Sequence, residues 1–376
     1  MGVTFFLGRC VFGADKFIPF DEAMNQYMES YKIVGGALAV LKQGKLMYSK
    51  GYGFEDRDKK NPVSSMSLFR IGSLTKSITA MAILKLIEQK AFTLDTPAFK
   101  YLSLPVTDRR AEKITIRHLL QHTAGWDKEK KPDPMFDSIN IAHSIGVKSP
   151  AQSKDIIQYV LSKKLDFDPG SKESYSNFGY CVLGRIIEKA TKMPYERYLL
   201  TLFRSIGIKE MRLGRSLEKY RAPHEVSYYL LSNRKLRNIV SVKPVEVPEP
   251  YGSFYLEALD SCGGWIASVK DVALFLSAYE KEWSLKPELR HTMLSSGSEK
   301  TKDFFYGLGW FVRPIQGTKV NMWHIGILPG TFALMVRRWD GLSWVVLFNT
   351  SSETGTEPYT KIDELLHEAA AKMNHR

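Results

Sequence analysis

The chain has 376 residues, 44% of them hydrophobic, and a formal net charge of +13. That length and apolar content allow a large core spread over two or three layers or lobes. Lys and Arg are scattered along the chain, and no basic run alternates with aromatics as a nucleic-acid surface would, so the charge reads as solvated and no nucleic-acid partner is expected. The three cysteines, Cys10, Cys181 and Cys262, form no Cys-x-x-Cys pair, so they point to neither a zinc site nor a disulfide framework. Cys181 and Cys262 lie in apolar surroundings and read as buried thiols.

In chain order, Gly2 to Ala14 is apolar and ends Val11-Phe12-Gly13-Ala14, like the end of a secretory signal. A basic start is missing and Arg9 interrupts the run, so residues 1–17 read as a signal or a disordered N-terminus. A secreted or periplasmic location is favoured over a cytoplasmic one. The stretch is too short to span a membrane, and no other segment reaches about 18 uncharged apolar residues, so no transmembrane helix is expected. Phe20 to Tyr31 has the spacing of an amphipathic helix. Gly36 to Leu41 and Lys45 to Gly51, joined at Gln43-Gly44, predict a hairpin at the edge of a sheet. A buried helix follows from Ser73 to near Lys90. From about residue 98 to about 250 helical patterns dominate: Ile116 to His122, Ser153 to Leu165, Tyr180 to Thr191 and Tyr195 to Leu202. Asp127 to Pro150 reads as a long polar loop, and residues 216 to 255 as an irregular flap. After a helix starting near Val269, strand patterns return at Gly307 to Arg313, Val320 to His324, Gly330 to Arg337 and Leu342 to Asn349. A last helix is expected from about Lys361 to Met373.

Strands at both chain ends with helices between them predict an α+β fold. One antiparallel sheet is built from both termini and flanked by helices, with a mostly helical lobe inserted. The expected division of residues 18–376 is an α/β lobe of about 18–95 and 256–376 and a helical lobe of about 96–255.

Three stretches carry chemistry. Ser73 sits at a helix mouth after Gly72, and Lys76 follows on the same helix face. A serine needs a base, and a desolvated amine one turn away can serve. Alone, Ser-x-x-Lys is short enough to arise by chance. Tyr175-Ser176-Asn177 follows a Pro-Gly turn and precedes a helix. Tyr175 can present a phenol to a cleft, and Asn177 an amide; equally, Asn177 could cap the helix and Tyr175 simply pack. His324-Ile325-Gly326-Ile327 ends a predicted strand. A glycine there admits a close backbone approach, and the Ile327 N–H, with that of Ser73, could face a developing oxyanion. A lone histidine at a strand end is more often structural than catalytic.

Together, Ser73-x-x-Lys76, Tyr175-Ser-Asn177 and His324-x-Gly326, in that order, resemble the penicillin-recognising serine hydrolases, in particular the branch of class C β-lactamases, DD-peptidases and esterases. The segment Ile114 to Gly125, Phe167-Asp168-Pro169-Gly170 and Cys262-Gly263-Gly264-Trp265 are similar to other segments of that family. The resemblance covers roughly residues 20 to 370. It implies Ser73 as acyl-forming nucleophile, Lys76 and Tyr175 sharing acid and base work, and Asn177 orienting the amine and the acyl carbonyl. It also implies an oxyanion hole of the Ser73 and Ile327 N–H groups, and substrate contacts at His324 and Gly326. His224-Glu225 and His367-Glu368 lack the second histidine of a zincin, and no P-loop or dinucleotide fingerprint is present, so no metal and no cofactor are expected. Where many relatives carry Lys-Thr-Gly, this chain has His324-Ile325-Gly326, which offers a weaker, pH-dependent charge. The expectation is a serine hydrolase of a small ester, amide or D-amino-acid peptide, poor on β-lactams. The alternative is a catalytically weak scaffold or filament-forming protein.

Overall fold

The computed structural model describes residues 15–240, 245–280, 285–295, 303–351 and 357–374. The apolar stretch Gly2 to Ala14 and Cys10 lie outside them. Two compact units are present: one holds residues 34–353, the other the first 33 residues together with 354–376. In the smaller unit, helices Ile18–Ser30 and Glu357–Asn374 pack on each other. Phe20, Ala23, Met24, Tyr27 and Met28 are buried there, the i, i+3, i+4 spacing of one helix face.

The larger unit is organised by an eight-stranded sheet: β1 (Gly35–Lys42), β2 (Lys45–Asp56), β3 (Asn61–Pro62), β4 (Phe305–Tyr306), β5 (Phe311–Gln316), β6 (Lys319–Leu328), β7 (Thr331–Arg337) and β8 (Leu342–Phe348). The order is β4-β5-β6-β7-β8-β1-β2-β3, with every pair antiparallel. β8 pairs directly with β1, Phe348 opposite Gly36, so the two chain ends form one sheet as the strand patterns predict. The hairpin turn Gln43-Gly44 uses positive φ at both residues, 50° and 69°, the twist-matching geometry of tight hairpins.

Ala37, Ala39, Leu41, Ala333, Met335, Val345 and Leu347 belong to one continuous core with helices Leu74–Glu88 and Val269–Glu280. The serine-bearing helix Leu74–Glu88 buries twelve of its fifteen residues, which explains its lack of a polar face. Two of its buried hydroxyls are satisfied inside: Ser77 donates to the Gly309 carbonyl at 2.6 Å and Thr79 to the Ser261 carbonyl at 2.7 Å. Leu74, Ile78, Met81, Ile83 and Leu84, each at most 2% exposed, contribute about 1.5–3 kcal/mol apiece by burial.

Asp127 to Pro150 is not the irregular loop its polarity suggests. It contains a 3-10 turn at Pro134–Phe136 and a helix at Ser138–Ile145, anchored by buried Met135, Ile141 and Ala142 and ended by Gly146 at φ 70°. A helix of eight residues is too short to declare itself by periodicity. Cys181 and Cys262 are buried free thiols, and burial pushes that of Cys181 up to about 12.

Candidate active site

The turn before the serine is fixed from two sides. Phe69–Arg70 pairs with Trp265–Ala267, and the Ile71 N–H donates to the Trp265 carbonyl at 3.0 Å. The Arg70 side chain is fully buried. Its guanidinium donates to the Pro250 carbonyl at 2.6 Å and the Arg215 carbonyl at 2.9 Å, and lies over the rings of Tyr228, Tyr251 and Phe254. Gly72 then turns the chain at φ 51°. A side chain there would meet the Ile327 nitrogen at 2.9 Å, so only glycine meets both demands. Ser73 occupies the N-cap of the helix without capping it, which leaves its hydroxyl for other partners.

Lys76 is fully buried, and its Nζ reaches three oxygens: Ser73 Oγ at 3.1 Å, Asn177 Oδ1 at 2.5 Å and the Cys262 carbonyl at 2.7 Å. The last two can only accept. They therefore take two N–H groups, and the third tetrahedral position of the nitrogen points at Ser73. In the ammonium form that position holds a proton; in the neutral amine it holds the lone pair. Asn177 is locked in turn, its Nδ2 donating to Asp133 Oδ2 at 2.7 Å. Helix Asn177–Thr191 is capped by Ser176, whose hydroxyl accepts the Gly179 N–H at 3.1 Å. The capping role open to Asn177 is thus taken by its neighbour, and the amide is free to serve the lysine. The Tyr175 ring centre lies 4.8 Å from Lys76 Nζ. No hydrogen bond joins the Tyr175 hydroxyl to Ser73 or Lys76 among the described residues.

The end of β6 forms the opposite wall. β6 is an interior strand, but its β5 partner ends at Trp323, opposite Phe311, while the β7 pairing continues to Leu328. His324 to Leu328 therefore have no β5 partner, and Gly326 and Ile327 lie against the serine turn. A side chain at Gly326 would meet the Ile71 carbonyl at 1.9 Å and the Ser73 nitrogen at 3.0 Å. Gly326 thus admits the protein's own turn, and the backbone nitrogens of Ser73 and Ile327 come close together across the two glycines.

His324 does not offer the pH-dependent charge expected from the sequence. It is fully buried, its Nδ1 donates to the Ile325 carbonyl at 2.7 Å and its Nε2 accepts from the Tyr306 hydroxyl at 2.9 Å. Burial, reinforced by the nearby Lys76 charge, pushes it down to about 3, so it is neutral.

Three contributors carry no sequence signal of their role. Asp133 orients Asn177 from a loop, and nothing in its spacing announces this. The Cys262 carbonyl is backbone. The His122 ring packs at a tilt against Tyr175, with centroids 4.3 Å apart, and Tyr306, at 4.4 Å, and its Nδ1 accepts the Ser176 N–H at 3.1 Å. It adopts a left-handed φ of 59°, and its Nε2 is buried without a hydrogen-bond partner among the described residues. Burial and Lys76 hold it well below the ordinary histidine range. The segment Ile114 to Gly125 that contains His122 is part of the family resemblance, but only the fold puts the ring against Tyr175.

The sequence model of the beta-lactamase family matches residues 20–369. The chain belongs to the beta-lactamase family. That places it among serine hydrolases. It is 28% identical over 335 residues to Penicillin-binding protein 4* of Bacillus subtilis, covering 86% of this chain and 70% of that protein. It is 25% identical over 340 residues to Protein flp of Staphylococcus aureus, covering 89% of this chain but only 63% of flp's length. Among solved structures, the D-amino acid amidase of Ochrobactrum anthropi SV3 complexed with L-phenylalanine amide shares the fold at a TM-score of 0.73 and 21% identity, over 95% of this chain and all of that one (100%). No helix among the described residues is long and apolar enough to cross a membrane.

Proposed function

We propose that this beta-lactamase family member hydrolyses small amides, esters or D-amino-acid peptides through an acyl-enzyme on Ser73. The observation that carries the proposal is the Lys76 nitrogen, with two directions committed to pure acceptors and the third aimed at Ser73 Oγ. As a neutral amine, Lys76 would accept the hydroxyl proton while Oγ attacks the substrate carbonyl carbon. The Ser73 and Ile327 N–H groups would face the negative charge forming on the carbonyl oxygen. Tyr175 would pass a proton to the departing nitrogen or oxygen as its bond to carbon breaks. Water would then attack the ester on Ser73 and give a proton to the Tyr175 phenolate, while the Lys76 ammonium returns its proton to Ser73 Oγ as the ester bond breaks. Asn177, held by Asp133, would orient the amine and the acyl carbonyl.

Turnover of β-lactams is expected to be poor, because neutral His324 gives the β6 wall no cation for their carboxylate. The relatives support an amide or peptide substrate: one is a penicillin-binding protein, and a structural neighbour is a D-amino acid amidase. The deciding measurement compares wild type with Ser73→Ala on p-nitrophenyl esters, D-amino-acid amides and nitrocefin. A fall of about a thousandfold or more on esters and amides is expected, with little nitrocefin turnover in either protein. Equal ester and amide rates in the two proteins would remove the proposal.

A further inference from the structure

The cleft beside Tyr175 extends the proposed hydrolase site, and its reading as a substrate subsite rests on that function. Trp126, Tyr159, Val160 and Tyr175 wall a cavity of about 430 Å³, within the range of small-molecule sites. Its inner end is shared with the reactive groups: the Tyr175 ring lies 4.8 Å from Lys76 Nζ, and Asp133, also in the lining, holds Asn177. The Trp126 wall is set by edge contacts with Phe178 at 4.6 Å and Phe99 at 6.4 Å.

The lining carries four carboxylates and four ammonium groups, which differ in how they are partnered. Asp127, Asp133, Asp137 and Asp166 face the cavity, as do Lys128, Lys131, Lys163 and Lys164. Asp127 and Asp166 are ion-paired, with Lys172 and Lys131, each at 2.7 Å, whereas Asp133 and Asp137 accept hydrogen bonds from the neutral amides of Asn177 at 2.7 Å and Asn140 at 2.6 Å. Lys128, Lys163 and Lys164 have no carboxylate partner among the described residues. Two of these ammonium groups sit over the aromatic walls, Lys128 at 5.9 Å from the Tyr175 ring centre and Lys163 at 4.6 Å from that of Tyr159. An apolar slot is thus bordered by three ammonium groups with no carboxylate ion pair among the described residues, while residues 324–328 of the strand opposite Ser73 carry no cation.

We propose that this cleft takes the arm of an amide or ester substrate whose flat apolar body ends in a carboxylate, which Lys128, Lys163 and Lys164 receive. The test compares kcat/KM for p-nitrophenyl 4-carboxyphenylacetate with that for p-nitrophenyl phenylacetate at low ionic strength. Wild type is expected to prefer the carboxylated ester by about tenfold. Lys163→Glu with Lys164→Glu should abolish that preference, whereas Lys60→Glu with Lys209→Glu, an equal charge change elsewhere, should retain it. A wild-type ratio at or below one, or the same fall in both double variants, overturns the proposal. Binding is read separately by titrating 4-carboxyphenylacetate into Ser73→Ala protein and following tryptophan fluorescence, with Trp126→Phe as control. Saturable quenching that needs both Trp126 and the Lys163/Lys164 pair supports the cleft even if wild type hydrolyses neither ester, in which case only the hydrolase reading fails. Absence of quenching tells against the cleft even if both esters turn over.

Discussion

Lys76 alone has no defined orientation; its meaning comes from the two acceptors that take its other protons. Asp133 therefore matters although it touches no substrate in the proposed mechanism. Asp133→Ala releases Asn177 Nδ2, lets the amide rotate, and leaves the lysine with one fixed acceptor instead of two. The expected result is a fall in kcat of about 10²-fold, the scale at which a misplaced catalytic group is felt. KM should change less. Steady-state kinetics on one ester measures both constants, and an unchanged kcat would show that Asn177 needs no such support. The residues reachable from sequence are those with a spacing: Ser73 and Lys76 one helical turn apart, Tyr175 and Asn177 at a helix entry. Asp133 and the Cys262 carbonyl are not legible, because their contribution is a direction in space set by loops. His324 is legible as a position but not as a chemical state. Only its burial between Tyr306 and its own strand shows that it is neutral.

At the scale of elements, the site depends on a short turn pressed against a strand. Gly72 and Gly326 let the serine turn and β6 approach so closely that neither position has room for a methyl group. Gly326→Ala places a carbon 1.9 Å from the Ile71 carbonyl, a contact only backbone movement relieves. A loss of stability of about 2–4 kcal/mol is expected, together with loss of acylation, read by denaturant unfolding and by labelling with a fluorophosphonate probe. Full stability and normal labelling would mean that the strand and turn can part freely. Behind the turn, Arg70 ties two loop carbonyls to the short strand that leads to Ser73. Arg70→Met keeps much of the volume but leaves both carbonyls buried and unpaired, at an expected cost of about 3 kcal/mol. Chemical denaturation reads this directly, and a difference below the error of the method would contradict the anchoring role.

Across the whole molecule, the two buried histidines couple stability to pH. His122 and His324 both lie well below the unfolded value of 6.5, His324 at about 3, because burial and the Lys76 charge oppose a second cation. A depressed histidine leaves the unfolded chain binding more protons than the folded one. The stability it supplies is complete above pH 6.5 and is lost as pH falls toward the folded value. Within that window each histidine should contribute a slope of about 1.4 kcal/mol per pH unit. Denaturant midpoints measured from pH 7.5 to 4 should fall, and His324→Gln should flatten the curve. Identical pH curves for variant and wild type would exclude the coupling.

The sequence by itself determined the classes of the longer elements, though not the short helix Ser138–Ile145, together with the antiparallel sheet shared by both chain ends and the stretch around Ser73. These follow from periodicity, glycine placement and apolar runs, which act within a few residues of one another. It also carried the order of motifs that marks the beta-lactamase family. The tertiary structure alone decided which groups meet: Lys76 with the Cys262 carbonyl 186 positions away, Asn177 with Asp133, and His324 with Tyr306. It also decided that Gly326 makes room for the serine turn, and that three lysines with no carboxylate partner among the described residues line the cleft beside Tyr175. The physical reason is common to all of these: a hydrogen bond or a charge is worth something only at a distance and a burial, and both are set by chain segments far apart in sequence.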